Sequence, residues 1–207
     1  MSKKVLGILI FDEVEVLDFC GPFEVFSITG VLIEDSFEVV TLAQKPQIVA
    51  RNGLTVVPKY IIGTDAIPKL DILLVPGGLG TITEAKNESL ISWIKTVGES
   101  ADFVLSVCTG VALLGKAGLL LEGMVVTTHH LAFDRVRPAC PNVKFCKCRR
   151  FIDNGKVLTS AGISAGIDLS FYFVKKRLGL EAARKVAKHM EYDWKDEDMG
   201  NCSCQLD

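Results

Sequence analysis

The chain has 207 residues, of which 49% are hydrophobic and 23% charged, and its formal net charge is -2. At roughly 100–200 residues per domain, this fits one globular domain over 1–207, with a sizeable core and a short C-terminal tail at 192–207. The balanced charge, with a pI of about 6.0, leaves no electrostatic footprint for nucleic acid or an anionic membrane, and the composition is too apolar for a disordered chain.

Met1–Phe11 sets two lysines before a run of apolar residues, a superficial likeness to a secretion signal. Asp12 and Glu13 end that run and no small-residue cleavage site follows, so Val5–Phe11 reads as a first strand. A helix is predicted from near Leu17, then strands at Phe37–Ala43 and Ile72–Val75 and a helix from near Glu88. The strand Phe103–Val107 runs straight into a helix from Thr109. Together, Phe103–Leu121 is nearly long enough to cross a bilayer, yet it holds Ser106, Thr109, Lys116 and three glycines, which are costly at the centre of a membrane. Met124–Thr127 is a further predicted strand and a helix starts near Leu131. Lys144–Ser160 reads as a hairpin turned at Asp153-Asn154-Gly155, with Lys156–Thr159 as its second strand. Helices from near Ala165 and Glu181 complete the pattern.

Several of these strands are continuous apolar runs rather than alternating ones, the mark of a parallel sheet covered on both faces. The expected fold is an α/β three-layer sandwich with a mostly parallel central sheet and a hairpin addition. Seven cysteines, an odd number without a signal peptide, point to reduced thiols and a cytoplasmic location. The pairs Cys146-x-Cys148 and Cys202-x-Cys204 lack the usual spacing of a metal knuckle. The first reads as one face of a strand and the second as incidental to a polar tail, so no metal is expected.

In open α/β sheets ligands gather at the carboxyl ends of strands. Cys108 stands at one such end, between a strand and a helix with no room for a loop, as on a nucleophile elbow. The following helix start favours a thiolate through its dipole and free N–H groups. Pro76-Gly77-Gly78 follows another strand, where two glycines allow close approach of backbone N–H groups to a developing negative charge. Asp18, framed by Val16, Leu17 and Phe19, is either a helix cap or a carboxyl set beside the chemistry. His129 and His130 follow a further strand, with a structural and a substrate-binding role both open to them.

Leu17-Asp18-x-x-Gly21-Pro22, Val75-Pro76-Gly77-Gly78, Ser106-Val107-Cys108-Thr109-Gly110, Thr127-Thr128-His129 and Ala161-Gly162-Ile163-Ser164-Ala165-Gly166-Ile167-Asp168 occur in this order. The series resembles the ThiJ/PfpI superfamily, related to the class I glutamine amidotransferases, and within it the isocyanide-hydrating branch. The likeness runs from the first strand to about Tyr192. It implies a flavodoxin-like sandwich, a homodimer, and a site that needs no cofactor and acts on a small-molecule substrate. By matching positions, Cys108 would be the nucleophile, Asp18 its acid/base partner and Thr109 a polar neighbour. Gly77 and Gly78 would supply the anion-stabilising backbone, and His129 and His130 would face the substrate. His130 stands where this branch carries a large aromatic residue. The implied reaction is hydration of an isocyanide to an N-substituted formamide through a thioimidate on Cys108.

Four rivals remain at this point. Relatives acting on α-dicarbonyls as glyoxalases or deglycases carry Glu in place of Asp18. Peptidase relatives carry His immediately after the nucleophile, where this chain has Thr109. Amidotransferase relatives use a His-x-Glu, matched only by His189-Met190-Glu191 on a helix whose apolar stripe lies elsewhere. A non-enzymatic ligand or redox sensor is the fourth possibility, resting on an acidic, accessible Cys108.

Overall fold

The computed structural model describes residues 3–196. The strands are β1 Lys4–Leu9, β2 Phe37–Ala43, β3 Ile48–Val49, β4 Thr55–Val56, β5 Tyr60–Ile61, β6 Ile72–Val75, β7 Phe103–Val107, β8 Val125–Val126, β9 Lys144–Phe145, β10 Phe151–Asp153 and β11 Val157–Ser160. The helices are α1 Val16–Leu32, α2 Thr81–Glu84, α3 Glu88–Ser100, α4 Gly110–Lys116, α5 Phe133–Val136, α6 Ala165–Leu178 and α7 Leu180–His189. A seven-stranded sheet runs in the order β10-β11-β7-β6-β1-β2-β5. Every neighbouring pair in it is parallel except β10 with β11. Helices α1, α6 and α7 pack together as one layer, and α3 and α4 with the short α2 pack together as another. The result is the mostly parallel α/β sandwich expected.

The reason lies in the strand composition. All four residues of β6 and all four of β11 are buried, so each strand needs a layer on both faces. On the α1/α6 side the core is aromatic. Phe173 on α6 meets Phe26 on α1 at 5.9 Å and Phe103 on β7 at 5.1 Å, both edge-on, and Phe26 meets Phe37 on β2 at 5.3 Å. Such pairs add to the burial of the rings themselves. Phe173→Leu is therefore expected to lower stability by about 1–2 kcal/mol, read from urea unfolding, with the transition still cooperative.

Several sequence expectations need correction. Met124–Thr127 does not join the central sheet; β8 pairs in parallel with β9 as a separate two-stranded sheet. The hairpin is accordingly shorter than Lys144–Ser160 and consists of β10 and β11 alone. Cys146 is buried just beyond β9 and Cys148 is exposed, so the two do not share a strand face. Cys202 and Cys204 lie outside the described residues. The helix near Leu131 is a single turn, α5, followed by a 3-10 turn at Arg137–Ala139. The two-residue strands β3, β4 and β5 were not anticipated. At the end of the described chain, Tyr192 and Trp194 stack on Phe171 of α6 at 5.5 and 5.4 Å. No helix among the described residues is long and apolar enough to cross a membrane.

Candidate active site

From β1 the chain steps out to β2 and later returns to β6 on the other side of β1. The carboxyl ends of β1 and β6 therefore flank a switch point, where open sheets gather ligands. Backbone bonds join the two loops there: Glu15 N–H donates to Gly77 O at 3.0 Å and Gly80 N–H to Glu13 O at 3.1 Å. Gly78 sits at φ 121°, and a Cβ on it would lie 2.3 Å from the Glu13 carbonyl oxygen. Only glycine fits that crossing of the two loops.

Cys108 occupies the junction of β7 and α4 at φ 58°, the left-handed region that a non-glycine residue enters at a cost. Its N–H is shared between the carbonyls of Ser160 and Ala161, at 3.1 and 3.2 Å, which fixes the turn to the end of β11. The elbow is also pressed against β6, since a Cβ on Gly110 would lie 2.1 Å from the Val75 carbonyl oxygen.

Asp18 lies in the first turn of α1 and is fully buried. It is not the cap; Glu15 holds that position without a side-chain cap bond. The carboxyl accepts the Gly77 N–H at 3.0 Å and the Ile163 N–H at 3.1 Å, and it lies beside the Cys108 thiol, close enough for the two to influence each other's ionisation. Burial raises Asp18 to about 7, against the opposing pull of the Gly77 and Cys108 bonds. Burial, and then the Asp18 charge, push Cys108 up to about 12. Two acids in one apolar site oppose a second negative charge. Burial and the neighbouring carboxyl thus both favour the thiol, the opposite direction to the helix-start argument for a thiolate. Helix α4 has seven residues, and the favour of such a terminus, about 0.3–1 kcal/mol, is smaller than the burial it would have to offset. With 6% of its surface exposed, Cys108 also lacks the accessible, acidic character on which the redox-sensor reading rests.

The neighbouring amides differ from expectation too. Gly77 N–H is engaged by Asp18, and Gly78 N–H donates to Thr109 Oγ1 at 3.0 Å. As placed, neither is free to receive a developing oxyanion. The Thr109 hydroxyl in turn donates to the Gly78 carbonyl at 3.1 Å, so Thr109 holds the β6 loop to the elbow. Thr109→Val leaves the buried Gly78 N–H without an acceptor, and a loss of about 1–3 kcal/mol in urea unfolding is expected. An unchanged midpoint would assign the hydroxyl a role outside this loop.

The thiol opens on a cleft of ≈ 540 Å³, whose polar lining comes from Glu15, Arg51, Thr109, His129 and Arg135. Arg51 Nε lies 3.6 Å from Glu15 Oε2. His129 lines the cleft, its Nδ1 accepting the Leu131 N–H at 3.2 Å. Burial first, and then the charges of His130 and Arg135, hold its pKa below the usual histidine value. His130 stacks on it at 4.4 Å but is exposed and does not line the cleft. His189 is exposed on α7, as its helical position suggested. The structure thus brings Cys108, Asp18, Thr109, Gly77, Gly78 and His129 together and leaves His130 outside. It adds Ile163, whose backbone at φ 56° presents its N–H to Asp18, along with Arg51 and Arg135. Ile163 lies within the quoted Ala161–Asp168 segment, whereas nothing in the local sequence marks Arg51 or Arg135.

The DJ-1/PfpI family matches residues 3–176. The isonitrile hydratase of Pseudomonas putida is 31% identical over 187 residues, covering 90% of this chain and 78% of that protein. The HTH-type transcriptional regulator GbdR of Pseudomonas aeruginosa is 24% identical over 93% of this chain, which spans 52% of the regulator. Among solved structures, a ThiJ/PfpI family protein from Pseudomonas syringae superposes with a TM-score of 0.81 at 25% identity, over 98% of this chain and 80% of that one.

Proposed function

Because the chain belongs to the DJ-1/PfpI family, and because a buried carboxyl beside its elbow thiol is raised to a midpoint near neutral pH, we propose that it hydrates isocyanides to N-substituted formamides. That proximity carries the reading. The terminal carbon of an isocyanide first accepts a nucleophile and then a proton at the same atom, so the reaction needs a sulfur and a proton donor addressing one point. The proximity of Asp18 to Cys108 supports that pairing.

In the first step the ionised Asp18 takes the Cys108 proton as the sulfur attacks the isocyanide carbon. The protonated carboxyl then returns that proton to the same carbon, giving an N-substituted thioimidate, R–N=CH–S–Cys108. Water adds across the C=N bond: its oxygen bonds the carbon while Asp18 takes one of its protons and passes it to the nitrogen. Collapse of the adduct expels the thiol, which recovers its proton, and releases R–NH–CHO. The sum is one isocyanide plus one water. Division into two easier additions is the gain of covalent catalysis, and an acid/base with a midpoint near the working pH serves both halves.

The occupied amides of Gly77 and Gly78 favour this reaction over acyl transfer, which builds negative charge on an oxygen and relies on donors reserved for it. The likeness to isonitrile hydratase agrees with this choice. The test is formamide production from an aryl isocyanide by the purified protein, followed by chromatography. Absence of formamide, with methylglyoxal consumed in its place, would move the assignment to α-dicarbonyl chemistry.

A further inference from the structure

Resting on that reading, we propose that the substrate is an isocyanide bearing a carboxylate, held across the cleft from Cys108 by Arg135 together with the His129 ring N–H. The charges facing the cleft lead to this class. Glu15 is the carboxylate among the lining residues, and Arg51 stands 3.6 Å from it. Asp18 lies behind the sulfur, fully buried. Arg135 lines the same cleft and makes no ion pair among the described residues. With Glu15 and Arg51 offsetting each other, Arg135 is left as an uncompensated cation.

His129 supplies a second donor. Its Nδ1 accepts a backbone N–H from Leu131, which requires a lone pair on that nitrogen and so places the proton of the neutral ring on Nε2. Burial first, and then the nearby charges of His130 and Arg135, favour the neutral ring. The ring therefore offers an N–H without adding charge. A planar guanidinium beside a second N–H suits a carboxylate, which accepts two directed bonds. The remaining lining includes Leu79, Leu131, Ala132 and Ile163, a path for a short aliphatic link between the carboxylate and the reacting carbon. The product of such a substrate is an N-formyl amino acid.

Binding tests this without turnover. N-formylglycine and N-formyl-β-alanine, each against its methyl ester, are titrated calorimetrically into the wild type and into Arg135→Gln, at low and high salt. The wild type is expected to bind at least one of the acids about ten-fold or more tighter than its ester, a preference that weakens with salt. Arg135→Gln should narrow it to about two-fold or less. Equal binding of acids and esters by the wild type, or no binding of either, overturns the proposal. So does an acid preference that survives Arg135→Gln. Formamide from a neutral aryl isocyanide without any acid preference would keep the hydration reading and discard the carboxylate site. Acid-selective binding that Arg135→Gln removes, with no isocyanide turned over, would do the reverse.

Discussion

Cys108→Ala is expected to cut formamide formation from an aryl isocyanide by at least about 10³-fold while leaving the protein folded. Every proposed covalent step passes through Sγ, and among the described residues no other cysteine lines the cleft. The backbone strain at φ 58° is shared by Cys and Ala, so the exchange removes the nucleophile without changing the elbow. The measurement is formamide yield over time for both proteins, with urea unfolding as the check on folding. Formamide at the wild-type rate in a folded Cys108→Ala protein would place the nucleophile elsewhere. Cys108→Ser should also be nearly inactive, because a hydroxyl ionises far less readily than a thiol even beside a base.

Asp18→Asn has two expected consequences of opposite benefit. Turnover falls by about 10²–10⁴-fold, the usual worth of a positioned acid/base. In the wild type the ionised carboxyl begins the reaction, so kcat/KM should decline below pH of about 7, where Asp18 takes up its proton. Residual activity of the variant should lack that limb. Stability moves the other way. In the unfolded chain the carboxyl titrates at about 3.9, whereas in the folded protein burial raises it to about 7. Between those values the folded protein holds a proton that the unfolded chain has released, so stability falls as pH rises through this window. The penalty is absent below pH of about 4 and complete above pH of about 7, reaching at most about 4 kcal/mol. Asparagine does not ionise. The stability of Asp18→Asn relative to wild type should thus rise by about 2–4 kcal/mol from pH 4.5 to pH 8 in urea unfolding, whatever offset the lost amide bonds introduce. A constant difference would show that the carboxyl is ionised across the whole range.

The parts of the fold written in local pattern were readable from the chain. Ile72–Val75 was delimited correctly because a strand buried on both faces is apolar at every position, and Phe37–Ala43 and Phe103–Val107 were delimited correctly because apolar residues dominate them despite the exposed Glu38 and the buried Ser106. Lys144–Phe145 was misassigned because its partner is chosen by distance in space: β8 lies about twenty residues earlier, and two residues carry no period to reveal it. Tyr60–Ile61 escaped for the same reason, its partner being the edge of β2. Asp18 stood out as an acid in apolar company, and its burial follows from that company. The ionisation of Cys108 was misread because the local argument, a helix start, has a sign opposite to two non-local terms: burial under the sheet and the charge of a residue ninety positions away. Arg135 lies on the single-turn helix α5 and Ile163 in the turn before α6, and a single sequence does not disclose where such short segments return.

The carboxyl of Asp18 takes its two amide bonds from residues 59 and 145 positions along the chain. Such far-flung closure is among the last events in the ordering of a polypeptide. During synthesis, Cys108 emerges well before Ile163. Asp18 and Cys108 are both made before Ile163, so the carboxyl gains its second amide bond only once the segment after β11 has arrived. The pair is held in place only when β1, β6 and β11 have all found theirs.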